Sequence, residues 1–161
     1  VETMSRSHRY DTVLRWTGNT GTGTSAYRNY SRAHVIGAVG RPEMAASADL
    51  AFRGDGGRWN PELLLLAAIS SCHQLWYLHV CASAGVVVVA YEDAAEGVMV
   101  EEASGAGQFS GVTLRPRVTI SAASDRAMAL ALHEQAGSMC FIARSLNFPV
   151  HHEPVITSLN E

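Results

Sequence analysis

The stretch Trp59-Asn60-Pro61-Glu62, followed from Leu63 to Ala84 by LLLLAAISSCHQLWYLHVCASA, decides the fold of this chain. Asn60 offers a side-chain oxygen to the first free amides of a helix, Pro61 suits the first helical position, and Glu62 places a carboxylate in the first turn. Together they predict a helix starting at Pro61 and running to about Ala84. It is apolar nearly all round, the pattern of a helix buried in a domain centre. Leu63 to Ala90 is also about long enough for a membrane span. Cys72-His73-Gln74 and His79 interrupt it, however, and Gly85 precedes the β-branched run Val86 to Val89. A buried helix followed by a strand fits better, and no membrane is expected.

Upstream, Tyr10 to Trp16 reads as an opening strand that ends at Thr17-Gly18-Asn19. Gly18 to Thr24, GNTGTGT, reads as a flexible turn. Its glycines invite comparison with a phosphate-binding loop, but no Lys-Ser/Thr follows and Ser25 to Tyr30 looks extended. Tyr27 to Val39 is expected as a second strand or hairpin arm, Ala45 to Phe52 as a short strand, and Arg53 to Arg58 as a glycine-rich loop.

Downstream, Val86 to Tyr91 and Gly97 to Glu102 read as neighbouring strands. Val112 to Ser121 alternates as one strand whose Pro116 prefers an edge or a bulge. Ser124 is expected to cap a second long helix, Asp125 to Ala136, broken at Gly137-Ser138. Ser138 would cap a fresh turn over Met139 to Leu146, and Val150 to Thr157 would close the chain as one strand. Strands before, between and after two long helices predict an α+β fold, with the helices on one face of a largely antiparallel sheet. At 161 residues, one domain over 1–161 is expected, with 1–8 as a disordered tail.

The charge of −3, from 12 basic and 15 acidic residues without a basic run, argues against a nucleic-acid partner. The polar start VETMSRSHRY carries no secretion signal, so a cytoplasmic setting is expected. Three widely spaced cysteines, Cys72, Cys81 and Cys140, fit neither a disulfide framework nor a structural zinc site. Cys81, between Val80 and Ala82, reads as packing. With Ser138 as cap, Cys140 would stand at the second position of a helical turn, where free amides favour a thiolate. A catalytic thiol needs a cation, and a carboxylate commonly orients an arginine. Glu62, Arg28 and Arg32 are the candidates. Glu62 and Cys72 are separated by ~15 Å of rise along a straight helix and cannot touch.

His73, His79, His133, His151 and His152 could ligate a metal with a cysteine, but no short ligand pair shares a helical face. No metal and no cofactor is expected. A Cys-His hydrolase is a further alternative, weakened because Cys72 and His73 are consecutive and face apart.

These residues resemble the OsmC/Ohr family, the osmotically inducible protein C and organic hydroperoxide resistance proteins. The likeness extends from about Tyr10 to Pro154. It rests on Asn60-Pro61-Glu62 with Cys72 ten residues on in an Ala/Ser-rich helix, on Cys140, and on the stretch from Cys140 to Val150, similar to an OsmC-like subgroup. The resemblance implies an intertwined homodimer, its sheet wrapped on two central helices. It implies a peroxidatic Cys72, a resolving Cys140 and a Glu62 that pairs with a catalytic arginine. It also implies an organic hydroperoxide as substrate and a dithiol, of lipoyl or other type, as reductant. Two features depart from the pattern. The Gly18 to Gly21 turn lacks the arginine that the hydroperoxide-resistance branch carries there, so Arg28 or Arg32 must substitute. Phe141-Ile142 replaces the more usual Pro-Tyr after the second cysteine. The competing expectation is a non-catalytic or small-ligand-binding protein of the same fold with structural cysteines.

Overall fold

A computed structural model describes residues 5–159. The expected N-terminal tail lies partly outside that range; residues 5–8 are exposed and without regular structure. The chain forms two compact units that divide after Leu64.

In the first unit, β1 (Val13–Trp16), β2 (His34–Gly37) and β3 (Met44–Ala46) form an antiparallel sheet in that order. The segment between β1 and β2 is a closed loop, not the flexible turn and extended arm expected. Asn19 Oδ1 accepts from the amides of Gly21 and Gly23, and Trp16 Nε1 donates to Ser31 O at 2.9 Å. A Cβ on Gly18 would lie 1.8 Å from Ser31 O, so only glycine permits this closure. The expected strand from Ala45 to Phe52 stops at Ala46. Asp49 accepts from the amide of Ala51 and caps a 3-10 turn over Leu50–Phe52 instead.

Asn60 caps the long helix as expected, its Oδ1 accepting from Leu63 N at 2.8 Å, and α1 spans Pro61–Ser83. This helix is long and apolar enough to cross a membrane by length and composition. Only one stripe of it, Ile69, His73, Tyr77, Val80 and Cys81, is buried. The expectation of a helix buried all round is therefore corrected: Leu75 on the opposite side is 63 % exposed.

The second unit carries two further sheets, β4-β7-β9 and β5-β6-β8, from β4 (Val88–Asp93), β5 (Glu96–Glu101), β6 (Gly107–Leu114), β7 (Pro116–Ile120), β8 (Val150–His152) and β9 (Val155–Ser158). The β4–β7 and β5–β6 pairs are antiparallel, while β8 joins β6 and β9 joins β7 in parallel. The two long strands expected at Val112 to Ser121 and Val150 to Thr157 are each broken in two. Both breaks occur before a proline, at Arg115-Pro116 and Glu153-Pro154, where a ladder donor is missing and the chain changes sheet. Arg115 fixes this corner: its guanidinium donates to Glu96 at 3.0 Å and Glu153 at 2.9 Å, and its amide donates to Asp93 at 2.7 Å. Pro116 is not at an edge; it is buried and opens the middle strand of its sheet.

α2 spans Arg126–Met139. Its N-cap is Asp125, which accepts from Met128 N, while Ser124 Oγ accepts from Val87 N. The helix runs through Gly137-Ser138, and the expected break there does not occur. Tyr77, Val80 and Cys81 of α1 pack with Ala129, Leu132 and Ala136 of α2 against Val118, Ile120 and Ile156. Ile69 packs with Val112 and Leu114. The fold is thus α+β, with three sheets and two long helices among the described residues.

Candidate active site

Cys72 sits midway along α1, and Cys140 is the C-cap of α2. Separated by 67 intervening positions in sequence, the two thiols are close enough to act on one another electrostatically, and both are free. Cys72 is half-buried, whereas Cys140 is 1 % exposed. The neighbourhood of Cys140 differs from the one expected. Ser138 donates to Gln135 O and caps nothing; the sulfur of Cys140 itself accepts from Ala143 N at 3.4 Å, at the start of a 3-10 turn over Ala143–Ser145. These amides favour the thiolate, but burial and the adjacent Cys72 outweigh them and push the Cys140 thiol up to about 11. The expected activation of Cys140 is thereby reversed: near neutral pH it keeps its proton.

Cys72 opens into a cavity of about 330 Å³ lined by Leu75, Trp76, His79 and Phe141. The indole of Trp76 meets the Phe141 ring edge to face, with centroids 5.4 Å apart. Cys81 is buried in the core, and burial raises its thiol pKa, in agreement with its reading as packing.

The other three candidates lie in the first unit. Arg32 is already engaged: its guanidinium donates to the carbonyls of Tyr30 and Tyr27 and lies 4.2 Å from the centroid of each ring. Arg28 is exposed. Glu62 has one carboxylate oxygen buried without a hydrogen-bond partner. Among the described residues no ion pair joins Glu62 to Arg28 or Arg32.

A second buried polar group unites three of the five histidines that the sequence offered as possible metal ligands. His73 of α1, His133 of α2 and His152 of β8 form a ring stack. His73 Nε2 and His133 Nδ1 are 3.0 Å apart, and the rings of His73 and His152 are 4.3 Å apart. Burial holds His73 down to about 3 and His133 to about 4, the first lowered further by His152 and His133 and the second by His152. Both are therefore neutral, and one N–H donates to the other ring's lone pair. Stacked rings do not converge their lone pairs on one point, and no described group of three His, Cys, Asp or Glu residues has metal-holding geometry. The available signal was the position of His73 on the buried stripe of Ile69 and Tyr77, which marks a core residue but does not name its partners.

The chain is similar to several solved structures. An OsmC-like protein of unknown function from Vibrio cholerae is 28 % identical over 92 % of this chain and 100 % of its own, with TM-score 0.83. An organic hydroperoxide resistance protein from Legionella pneumophila shares the fold at 17 % identity, covering 94 % of this chain and 99 % of its own, with TM-score 0.66. The organic hydroperoxide resistance protein OhrB of Bacillus subtilis does so at 20 % identity, 91 % and 96 % coverage and TM-score 0.60. No curated protein sequence matches. The family model of OsmC-like proteins matches residues 54–154, a segment that holds Glu62, Cys72 and Cys140, and the chain belongs to that family.

Proposed function

We propose that this protein is a thiol peroxidase that reduces organic hydroperoxides to alcohols. The observation that carries the proposal is that Cys72, a neighbour of the buried Cys140, lines a largely apolar cavity. Two solved relatives of the same fold are organic hydroperoxide resistance proteins. Cys72 is the nucleophile, because it opens to the cavity while Cys140 is buried and protonated. Its thiolate attacks the distal oxygen of ROOH; the O–O bond breaks, and the alkoxide takes a proton and leaves as ROH. The sulfenic acid on Cys72 then condenses with the Cys140 thiol, forming a disulfide and releasing water. An external dithiol reduces that disulfide to two thiols and is itself oxidised, which returns the enzyme. Apolar walls around the nucleophile favour a substrate with an organic group.

Glu62 and an arginine, Arg28 or Arg32, belong to the same proposal as the groups that promote the attack. Arg28→Ala and Glu62→Gln are expected to slow peroxide reduction at least tenfold; rates equal to wild type would remove both from the mechanism. A homodimer is proposed as the working form, since the second unit leaves Met128, Leu130 and Met139 exposed. A reducing cytoplasm suits a redox pair that must return to thiols.

The deciding experiment measures consumption of cumene and tert-butyl hydroperoxide with dihydrolipoamide for wild type, Cys72→Ser and Cys140→Ser. Turnover is expected for wild type only, with a trappable sulfenic acid in Cys140→Ser. No turnover by wild type and no Cys72–Cys140 disulfide after peroxide would favour a binding protein with inert cysteines.

A further inference from the structure

Cys72, Leu75, Trp76 and His79 fall at i, i+3, i+4 and i+7 of α1 and so share one face of the helix. Phe141, which follows Cys140 directly, completes the wall. Trp76 is the centre of a ring group: it meets Phe141 at 80° and 5.4 Å, and His79 at 81° and 5.7 Å. In an edge-to-face pair one ring presents its rim and the other its face, a geometry that a further aromatic ring can extend. Phe141 is 68 % exposed, so much of its surface is uncovered in the single chain. Both rings line the same cavity as Cys72, and its size suits a small organic group.

From this arrangement we propose that Trp76 and Phe141 make the site selective for hydroperoxides whose organic group carries an aromatic ring. The inference rests on the peroxidase reading above and goes beyond it, because a merely apolar wall would treat a phenyl and a cyclohexyl group alike. The substrate ring packs against the Trp76–Phe141 pair and its hydroperoxide points at Cys72. One aromatic contact of this kind changes binding by about two- to tenfold relative to an aliphatic contact of equal area.

The test compares cumene hydroperoxide with its saturated counterpart, 2-cyclohexyl-2-propyl hydroperoxide, which keeps the branching and loses the ring electrons. For wild type, kcat/KM should favour the phenyl compound at least twofold, and the ratio should fall toward one in both Trp76→Leu and Phe141→Leu. Phe141→Leu, at an exposed position, serves if Trp76→Leu fails to fold. A second arm measures binding of 2-phenyl-2-propanol and 2-cyclohexyl-2-propanol to the reduced protein by calorimetry, which needs no turnover. Consumption of both peroxides with a ratio near one, or a ratio unchanged in the variants, overturns the selectivity while the peroxidase reading stands. If neither peroxide is consumed, that reading fails. Tighter phenyl binding that is lost in the variants would then still support the aromatic subsite, and equal binding of the two alcohols would remove it.

Discussion

At the residue scale, Gly137 shows how one missing side chain can decide packing. A Cβ there would lie 2.7 Å from Cε1 of His152, and that ring cannot easily retreat because its other neighbour is the His73 ring at 4.3 Å. Replacing a helical glycine by alanine ordinarily gains up to ~1 kcal/mol. Here the overlap should win, and Gly137→Ala is expected to destabilise the protein by about 1–3 kcal/mol, read from urea unfolding midpoints. The three thiols give a second prediction at this scale. In the folded, reduced protein iodoacetamide should modify Cys72 well before Cys81 or Cys140, because Cys72 is half-buried while the other two are each 1 % exposed. Mass spectrometry of partly alkylated protein checks the order, and equal labelling of all three would contradict it.

Between elements, the contacts that hold α1 against α2 are polar as well as apolar. The His73–His133 hydrogen bond and the bond from Tyr77 Oη to Ala129 O at 2.9 Å tie the helices together, and the Tyr77 ring stacks on His133 between them. This spacing places Cys72 beside the C-cap of α2. It also makes stability depend on pH. Both histidines have folded-state pKa values far below the ordinary 6.5, at about 3 and about 4, so between those values and 6.5 the unfolded chain binds protons that the folded chain excludes. Stability is therefore full above about pH 6.5 and is lost as pH falls, by up to ~1.4 kcal/mol per pH unit for each histidine. The groups around the stack modulate this loss. His152 is itself lowered by burial and by His151 but raised by Asp93, which accepts from Ser70 and from the amide of Arg115. Urea midpoints between pH 7 and pH 5 should fall for wild type and fall less steeply for His133→Phe. Parallel curves would show that the stack does not set the slope.

For the whole molecule, oxidation and association are the properties to measure. A Cys72–Cys140 disulfide closes a loop of roughly 70 residues, which by chain entropy stabilises the folded state by ~4 kcal/mol. The peroxide-treated protein is thus expected to unfold at higher urea than the reduced form, with the difference abolished in Cys140→Ser. Sedimentation equilibrium should report a dimer, and mutation of Met128 and Leu130 to glutamate should shift it toward monomer. A monomer at all concentrations would remove the proposed assembly.

Sequence by itself determined the start of α1, because an Asn-Pro-Glu cap acts through local bonds, and Asn60 makes the expected one. It also determined the α+β class and the assignment of Cys81 to the core, which follow from period and from apolar neighbours. The resemblance carried by Glu62, Cys72 and Cys140 identified the family. Only the tertiary structure decided the remainder. The corner at which two strands split before Pro116 and Pro154 is held by Arg115 on Glu96 and Glu153, a pairing between residues far apart in sequence. Cys140 keeps its proton because burial and Cys72 outweigh the local amides that the sequence does reveal. Three histidines from α1, α2 and β8 meet although no two have ligand spacing. Local hydrogen bonds and side-chain periodicity can be read along a chain, but desolvation and long-range contacts exist only once the chain has folded.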